Sequence, residues 1–329
     1  KYDQNISRKA AEWLKARSKS KKKDNPFLLY VSFIAPHFPL IVPHKYYNLY
    51  KDIELPNFKK FNPELVNHPW WIAFNKSITF DNYFRDDLHR REAIISYLGL
   101  CTFVDQLIGN VIDELESTSL QDNTNILFLS DHGENLGARG LWGKSVMYEE
   151  SIGIPMILAG EGLPKGSVVK TPVSLIDVFP SILDVFGMKE TYRYSGNSLF
   201  EIAKKEEDEN RLVFSEYHGA GAISGAFMLR DEQYKYIYYV NFEPELYDLH
   251  SDPEELVNLA TNDKFKEILK NYKNKLFRIV DPNAINNEAL ADQARLVEKN
   301  GGIEKVLMKG GLSGTPVPGG KSTRVEINT

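Results

Sequence analysis

Cysteine is almost absent from this chain of 329 residues, which contains a single one, Cys101. One cysteine excludes a disulfide framework within the chain and any metal site built from several thiolates. Cys101 lies on the apolar side of a segment with helical periodicity, so we interpret it as a core residue. The redox compartment is left open by this composition.

The sequence also lacks an excess of one charge and a long apolar run. It has 40 Lys+Arg and 45 Asp+Glu, a net charge of -5, so we expect no nucleic acid and no membrane surface as a partner. No uninterrupted apolar run approaches the roughly 20 residues of a membrane span, and residues 1–5 have no signal-peptide character. Because the chain starts at Lys1 and not at Met, we expect the natural N-terminus upstream. The localisation stays unknown.

Helical and strand patterns alternate along the first part of the chain. Helical periodicity covers 6–14, 90–116 and 174–186, and apolar runs typical of buried strands cover 27–34, 126–130 and 154–158. This alternation predicts an α/β domain over residues 1–205, with a mainly parallel sheet flanked by helices.

The composition changes after residue 205. Short strand patterns separated by turn residues cover 212–217, 226–230, 234–240 and 245–249, and an amphipathic helix pattern follows at 265–279. They predict a smaller antiparallel α+β domain over 206–285. Residues 286–329 are expected to form a helix and an extended Gly/Pro-rich tail. Such a tail could reach a second copy of the chain, so a homo-oligomer through the C-terminal tail is one expectation.

The strand predicted at 126–130 ends in a polar loop that carries Asp131 and His132. Open α/β sheets place ligand sites at the carboxyl ends of strands. Asp131 offers oxygen to a hard cation, and His132 could bind a metal or an anionic oxygen. Lys144 follows Gly143, and glycine permits a tight backbone path that could direct the ammonium inward. In isolation, a self-capping polar turn explains the Asp131 loop equally well, and a surface lysine is the default interpretation of Lys144.

A nucleotide site is an alternative for the same loop. Residues 138–145 nearly match the phosphate-binding pattern Gly-x4-Gly-Lys-Ser/Thr, with Ala138 at the first glycine. However, the preceding strand ends at Ser130 instead of running into the loop, and Pro155 leaves little room for the long helix that must follow. We therefore disfavour this alternative.

Histidines follow two other predicted strands. His37 lies between Pro36 and Pro39, which restrict its backbone, and an imidazole there could give a proton to a leaving oxygen near neutral pH. His218 could reach a substrate pocket from the smaller domain, or belong to a polar cluster at a sheet edge. A lone histidine is more often structural, so both need support from other motifs.

Four sequence blocks occur together in one order along the chain. They are Ala35-Pro36-His37-Phe38-Pro39; Ser130-Asp131-His132-Gly133-Glu134-Asn135 with Gly143-Lys144 and Tyr148-Glu149-Glu150-Ser151; Ser174-Leu175-Ile176-Asp177-Val178-Phe179-Pro180; and Glu245-Leu246-Tyr247-Asp248-Leu249 with Asp252-Pro253-Glu254-Glu255. Together they resemble the sulfatase family of the alkaline-phosphatase-like superfamily. Residues 136–144 and 215–221 are most similar to choline-sulfatase-type members.

The resemblance implies roles for the loop residues and an alkaline-phosphatase-like fold, of which 1–205 would be the C-terminal portion of the catalytic domain. Asp131 and His132 would belong to a Ca²⁺ site, Lys144 would bind a sulfate oxygen, and His37 would act at the leaving oxygen. His218 is a further candidate for substrate binding. A cation, an ammonium and a proton donor suit sulfur–oxygen cleavage, because negative charge builds on the leaving oxygen.

The resemblance also exposes a missing part. Sulfatases use a formylglycine nucleophile made from Cys/Ser-x-Pro/Ala-x-Arg, and this motif does not occur in the sequence. We therefore expect the chain to lie C-terminal to that motif. A missing N-terminal segment, in the same polypeptide or a separate one, would complete the domain.

The expected function is hydrolysis of a small-molecule, aryl or carbohydrate sulfate ester. Two alternatives stay open: a phosphodiester or phosphonate monoester hydrolase of the same superfamily, and a catalytically degenerate sulfatase-like binding protein.

Overall fold

A computed structural model describes residues 1–21, 25–55, 68–78, 80–188 and 194–308. In chain order, its α-helices are α1 (Tyr2–Ser18), α2 (His44–Tyr47), α3 (Pro69–Ser77), α4 (Asp87–Glu116), α5 (Glu149–Ile152), α6 (Val178–Val185), α7 (Leu199–Lys204), α8 (Lys266–Ile279), α9 (Pro282–Lys299) and α10 (Ile303–Met308). Its strands are β1 (Ile126–Leu129), β2 (Met156–Ala159), β3 (Val213–Tyr217), β4 (Ala226–Arg230), β5 (Tyr234–Tyr239) and β6 (Glu245–Asp248).

The long helix α4 organises the N-terminal half. It begins after Asp86, whose side chain accepts a hydrogen bond from the His89 amide and caps the helix. Helix α1 packs along it, and Ser7 Oγ donates to the Leu107 carbonyl at 2.8 Å. By length and composition α4 could cross a bilayer. Here, however, its apolar side chains pack against neighbouring elements, for example Phe103 against Tyr46 of α2, as in a core helix.

Strands β1 and β2 form a two-stranded antiparallel sheet in which Leu127 pairs with Leu158. The sequence correctly predicts both strands. It also predicts a mainly parallel sheet, whereas every strand pair among the described residues is antiparallel. The connection explains the difference. A parallel return needs a crossover, usually a long helix, and between Leu129 and Met156 the regular helix is the single short turn α5.

The apolar run 27–34 is extended but does not pair as a strand, contrary to the sequence prediction. Its side chains alternate between two environments. Leu29 packs in a cluster with Leu14 of α1, whereas Leu28 is 62% exposed and Tyr30 is 84% exposed. At the end of the run, the backbone amides of Ile34 and Ala35 donate to the carboxylate of Asp3. A side chain therefore holds this segment where a neighbouring strand was expected.

The second sheet has the order β3-β4-β5-β6 and is antiparallel throughout. This confirms the strand and helix predictions for residues 212–279. One face packs on α8, and Tyr236 of β5 and Leu276 of α8 belong to the same hydrophobic cluster. On the other face, Ile237 and Tyr239 join a cluster that contains Met147 and Tyr148. The C-terminal sheet thus supports the chain segment that follows Lys144.

Helix α9 crosses the domain boundary predicted at residue 285. It begins at Pro282 because the side chain of Asp281 accepts hydrogen bonds from the amides of Asn283 and Ala284, and because proline suits the first turn of a helix. The Gly/Pro-rich tail lies outside the described residues. The homo-oligomer expected through this tail stays a prediction.

Candidate active site

Strand β1 leads directly into the loop that carries Asp131 and His132, and Gly133 fixes the path of this loop. The Gly133 amide donates to the Ser151 carbonyl at 2.8 Å. A Cβ atom on Gly133 would lie 2.1 Å from the Glu150 carbonyl oxygen, well inside van der Waals contact. Only glycine allows the loop that carries Asp131 and His132 to approach α5 this closely.

Residues 134–145 fold back on themselves and present Lys144. The Asn135 amide and side chain both donate to the Gly143 carbonyl, at 2.7 and 2.8 Å, and the Gly143 amide donates to Glu134 Oε1 at 2.5 Å. Positive φ angles occur at Leu136, Gly137, Arg139, Gly140, Gly143 and Ser145. Left-handed backbone at residues other than glycine is strained, and such strain concentrates at functional sites.

The loop brings Lys144 against His37. Lys144 Nζ lies 2.8 Å from His37 Nε2, and His37 Nδ1 lies 2.8 Å from the carbonyl oxygen of Phe38. A carbonyl oxygen only accepts, so Nδ1 carries the hydrogen. The lone pair of Nε2 then accepts a hydrogen bond from the Lys144 ammonium. In this arrangement His37 is neutral and Lys144 supplies the positive charge.

Burial perturbs the titratable groups of the site. It lowers the pKa of His37, and the positive charge of Lys144 lowers it further, against the opposing hydrogen bond to Phe38. Burial also lowers the pKa of Lys144, partly offset by the negative charges of Glu134 and Asp131. The pKa of Glu134 is raised by burial, although the amides of Gly143 and Leu136 oppose this. Perturbed groups that lie close together are typical of active sites.

Asp131 and His132 lie beside the His37–Lys144 pair. The rings of His37 and His132 are 5.7 Å apart, centroid to centroid. Asp131 Oδ2 is 3.8 Å from His132 Nε2, and the Asp131 side chain is 84% exposed. The structure thus brings together His37, Asp131, His132 and Lys144. An exposed carboxylate beside an imidazole nitrogen fits a divalent cation, but within the described ranges no group of three or more candidate ligands occurs.

His218 is placed elsewhere. Its imidazole lies 3.7 Å from the Glu216 carboxylate and packs edge-on against Phe227 of β4. Its carbonyl accepts a hydrogen bond from the side chain of Gln293 on α9. These contacts are to the C-terminal sheet and α9, and the substrate-binding role of His218 stays a prediction. The hydroxyl of its neighbour Tyr217 donates to the Ala220 carbonyl at 2.8 Å.

The geometry does not favour the nucleotide-binding alternative. A phosphate-cradling loop leads directly into a long helix, whereas the helix after Ser145 is the four-residue α5, which starts at Glu149. Lys144 itself contacts His37.

A buried ion-pair network connects the chain segment after Lys144 to strand β5, and the sequence patterns did not predict it. Lys235 of β5 is 0% exposed, and its Nζ lies 2.6 Å from both Glu149 Oε1 and Glu255 Oε1. The same ammonium donates to the Met147 carbonyl at 3.2 Å, and Glu255 Oε2 accepts from the Glu149 amide at 2.8 Å. Lys235 occupies an inward position among aromatic residues of a strand. A charge at such a position is the signal that could have revealed it.

Arg139 completes this network from within the loop. Its guanidinium pairs with Glu150 at 2.9 Å, donates to the Glu254 and Glu255 carbonyls, and lies 4.1 Å from the centre of the Tyr148 ring. The loop that presents Lys144 is therefore clamped to the segment 254–255.

Sequence comparison identifies families over most of the chain. The family model described as "Sulfatase" matches residues 1–188, and "N-sulphoglucosamine sulphohydrolase, C-terminal" matches residues 137–281. Arylsulfatase K of Gallus gallus is 31% identical over 85% of this chain and 56% of its own length. Choline-sulfatase of Rhizobium meliloti is 32% identical over 75% of this chain and 49% of its own length. The chain thus spans about half the length of these relatives.

A solved structure, the phosphonate monoester hydrolase of Silicibacter pomeroyi, superposes with a TM-score of 0.70 at 26% identity, over 82% of this chain and 58% of that one. This likeness confirms the α/β, alkaline-phosphatase-like fold class predicted from the sequence. The matched family model covers both the His37 and the Asp131–Lys144 blocks. With the identity of the curated relatives, it shows that the chain belongs to the sulfatase family.

Proposed function

We propose that this chain is the C-terminal portion of a sulfuric ester hydrolase and supplies the groups that bind the sulfate and protonate the leaving oxygen. The observation that carries the proposal is the 2.8 Å contact between Lys144 Nζ and His37 Nε2, beside Asp131 and His132. An ammonium held against a neutral imidazole, with a carboxylate nearby, suits an anion bound together with a divalent cation.

The Lys144–His37 pair also holds a proton that the leaving oxygen could receive. Cleavage of the sulfur–oxygen bond leaves negative charge on the departing alcohol oxygen, which must be neutralised. The hydrogen that lies between Lys144 Nζ and His37 Nε2 can be given to that oxygen by either nitrogen. Because burial lowers the pKa of both groups, each gives up a proton more readily than in water. Lys144 then remains as the donor to a sulfuryl oxygen.

Ca²⁺ is the proposed metal, with Asp131 and His132 as its ligands from this chain. The exposed Asp131 carboxylate offers the oxygen that a hard cation prefers, and His132 lies at its side. The ion would supply positive charge against the sulfuryl oxygens. Since Ca²⁺ takes about six to eight oxygen ligands, other groups, waters among them, would complete its coordination.

We further propose that an N-terminal segment completes the domain and carries the formylglycine nucleophile. The relatives extend well beyond the matched region, since the chain covers 56% of arylsulfatase K. In addition, Phe128 and Ile157 pair across β1 and β2 and are both exposed, as are Leu28 and Tyr30. Exposed apolar side chains on adjacent strands are typical of a sheet face that another element covers.

The substrate class proposed is a small-molecule, aryl or carbohydrate sulfate ester. A phosphonate monoester hydrolase is the second candidate, supported by the superposition on the Silicibacter pomeroyi enzyme. A catalytically degenerate binding protein is the third, and it would require an upstream segment without the formylglycine motif.

Turnover separates these candidates. The polypeptide extended upstream of Lys1 would be assayed with 4-nitrophenyl sulfate and with 4-nitrophenyl phenylphosphonate under the same conditions. We expect faster cleavage of the sulfate ester. Predominant cleavage of the phosphonate would overturn the proposal in favour of the second candidate. No cleavage of either ester, with an upstream sequence that lacks the motif, would establish the third.

Point variants of the extended polypeptide test the assigned roles. We expect Lys144→Ala and His37→Ala each to lower kcat by about 10²- to 10³-fold with folding intact. The double variant should lose little more than either single one, because both residues hold the same proton. Lys9→Ala, an exposed lysine on α1, is the control. Near-normal turnover in both single variants would refute these roles.

A further inference from the structure

A second cleft lies on the face of the C-terminal sheet that carries α8. It has a volume of about 720 Å³, and its walls are β5, the β5–β6 turn and α8. The side chains of β5 alternate, so Tyr236 and Tyr238 face this cleft and α8, whereas Lys235 and Tyr239 face the active-site loop. The cleft is therefore separated from the His37–Lys144 pair by the sheet itself.

Positive charge is concentrated on the α8 wall of this cleft. Lys266, Lys270 and Lys273 line it, at a spacing that places them on one side of a helix. Lys266 is paired with Asp263, while Glu243 is the acidic residue of the opposite wall. This concentration stands out because the whole chain has a net charge of -5. A basic wall on an acidic protein attracts an anion locally.

The remaining lining combines aromatic rings with polar side chains. Tyr238 and Phe242 are half-buried, and Asn241 and Asn283 are exposed at the rim. Tyr236 is 0% exposed, and its hydroxyl has no hydrogen-bond partner within the described part of the chain. A buried hydroxyl without a partner is rare, because leaving one unsatisfied is unfavourable.

We propose that this cleft binds a sulfated glycan at a point remote from the catalytic groups. Lys270 and Lys273 provide charge-assisted hydrogen bonds to sulfate groups. The rings of Tyr238 and Phe242 offer flat apolar surfaces to sugar C–H faces, and Glu243 accepts hydrogen bonds from sugar hydroxyls. The choice of sulfate as the anion rests on the proposed function, but binding at the cleft requires no catalysis.

A nucleic acid is the competing polyanion, and the cleft favours a glycan over it. Glu243 would repel a phosphate backbone, whereas a glycan has hydroxyls that can donate hydrogen bonds to this carboxylate. Single-stranded nucleic acid is held along a groove several nucleotides long, and here the basic residues occupy one wall of a short cleft.

Calorimetric titration of this chain with a heparin-derived tetrasaccharide tests the proposal, with the desulfated tetrasaccharide as matched ligand. We expect Lys270→Ala/Lys273→Ala to weaken binding by at least about tenfold. Lys9→Ala/Lys15→Ala on α1 removes the same charge elsewhere and should change the affinity by less than about twofold. All four lysines are exposed, so folding should be unaffected, as thermal unfolding can verify.

The proposal would be overturned if Lys270→Ala/Lys273→Ala left the affinity unchanged, or weakened it no more than Lys9→Ala/Lys15→Ala. It would also be overturned if the desulfated tetrasaccharide bound equally well, or if an oligonucleotide of the same charge bound more tightly. The variant His37→Ala/Lys144→Ala distinguishes the two sites. It should retain tetrasaccharide binding if the cleft is the site, and loss of binding would assign the ligand to the catalytic pocket. Failure of sulfatase turnover leaves these binding results intact.

Discussion

At the scale of single residues, the site depends on which nitrogen of His37 carries a hydrogen. The Phe38 carbonyl fixes the hydrogen on Nδ1, so Nε2 can accept from Lys144. Buried near a cation, the imidazole is easier to keep neutral than in water. This explains how a histidine can lie at hydrogen-bond distance from an ammonium without repulsion, and why the pair is ready to receive an anion.

The first prediction concerns the pKa of His37. Burial and the charge of Lys144 hold this pKa below its ordinary value of 6.5. We expect the imidazole to titrate below that value in an NMR titration, and the pKa to rise in Lys144→Met, which removes the cation but keeps the chain length. Burial still lowers the pKa of His37 in this variant, so the pKa should return only part of the way to its ordinary value. An unchanged pKa in Lys144→Met would show that the two side chains do not interact in solution.

This shift also gives His37 a defined effect on stability. Its folded-state pKa is lowered, so at acid pH the unfolded chain binds the proton more strongly than the folded chain. The contribution of His37 is therefore full above its unfolded pKa and is lost as pH falls through the lower, folded pKa. His37→Gln should flatten this part of the stability profile, as measured by urea unfolding between pH 7 and pH 5.

At the scale of elements, the loop of residues 134–145, which presents Lys144, is held by charges on the C-terminal sheet. Lys235 bridges Glu149 and Glu255, and both Lys235 and the Glu255 side chain are 0% exposed. Burial raises the pKa of Glu255 despite its lysine partner, whereas for Glu149 the attraction of Lys235 and Arg230 outweighs burial and lowers the pKa. The residue Glu255 also has a positive φ of 53°. Glu255 thus combines a strained backbone with a buried charge where it contacts the chain segment after Lys144.

The second prediction is that this ion-pair network has a large effect on stability. We expect Lys235→Met to lower the free energy of unfolding by about 3–5 kcal/mol, because it leaves buried carboxylates without their cation. Lys235→Met/Glu255→Gln should be less damaging than Lys235→Met, since fewer uncompensated charges remain. Arg8→Ala, which breaks the exposed pair with Glu12, is the control and should cost under about 1 kcal/mol. Similar costs for Lys235→Met and Arg8→Ala would contradict the assignment.

The third prediction compares two glycines. Gly133→Ala places a methyl group 2.1 Å from the Glu150 carbonyl oxygen, so the loop that carries Asp131 and His132 must move and the protein should lose stability. Gly109, within α4, has open space around the same position, and Gly109→Ala should stabilise the chain by about 0.5–1 kcal/mol through helix propensity. Chemical denaturation of both variants provides the comparison. Equal effects would mean that the loop is not packed as described.

The sequence predicted the helices and strands that follow from local pattern. It did not predict strand direction or the contacts between distant segments, which depend on how the elements pair. Periodicity located α4 and the four strands of the C-terminal sheet, and motif order brought His37 and Lys144 into one hypothesis. Strand direction was missed because an apolar run such as 27–34 does not reveal its neighbours. The bond between Lys235 and Glu255 was missed for a related reason. Only the register of β5 places this lysine beneath a loop that precedes it in the chain by about ninety residues.

At the scale of the whole molecule, apolar surface is distributed unevenly. Around the active-site loop the chain is tightly packed, with Tyr148 and Trp70 each 1% exposed. On the small sheet, by contrast, Phe128 and Ile157 form an exposed cross-strand pair. The region that touches the C-terminal sheet therefore has a complete core, while the region around β1 and β2 presents a face that suits a further packed element.

The last prediction tests whether an N-terminal segment covers this face. The chain alone should bind the dye ANS more strongly than the polypeptide extended upstream of Lys1. Leu28→Thr/Ile157→Thr should reduce dye binding of the chain alone, because both side chains are exposed there. In the extended polypeptide the same change should lower the free energy of unfolding by about 1.5–3 kcal/mol per residue, because both side chains become buried.

A leucine elsewhere on the surface separates this effect from a general one. Leu290 of α9 is also exposed, and Leu290→Thr should leave the stability of the extended polypeptide within about 0.5 kcal/mol of the parent. If Leu28→Thr/Ile157→Thr behaved like Leu290→Thr in both polypeptides, the face around β1 and β2 would remain exposed in the longer protein. The proposed N-terminal segment would then have to reach Asp131, which is 84% exposed, from another direction.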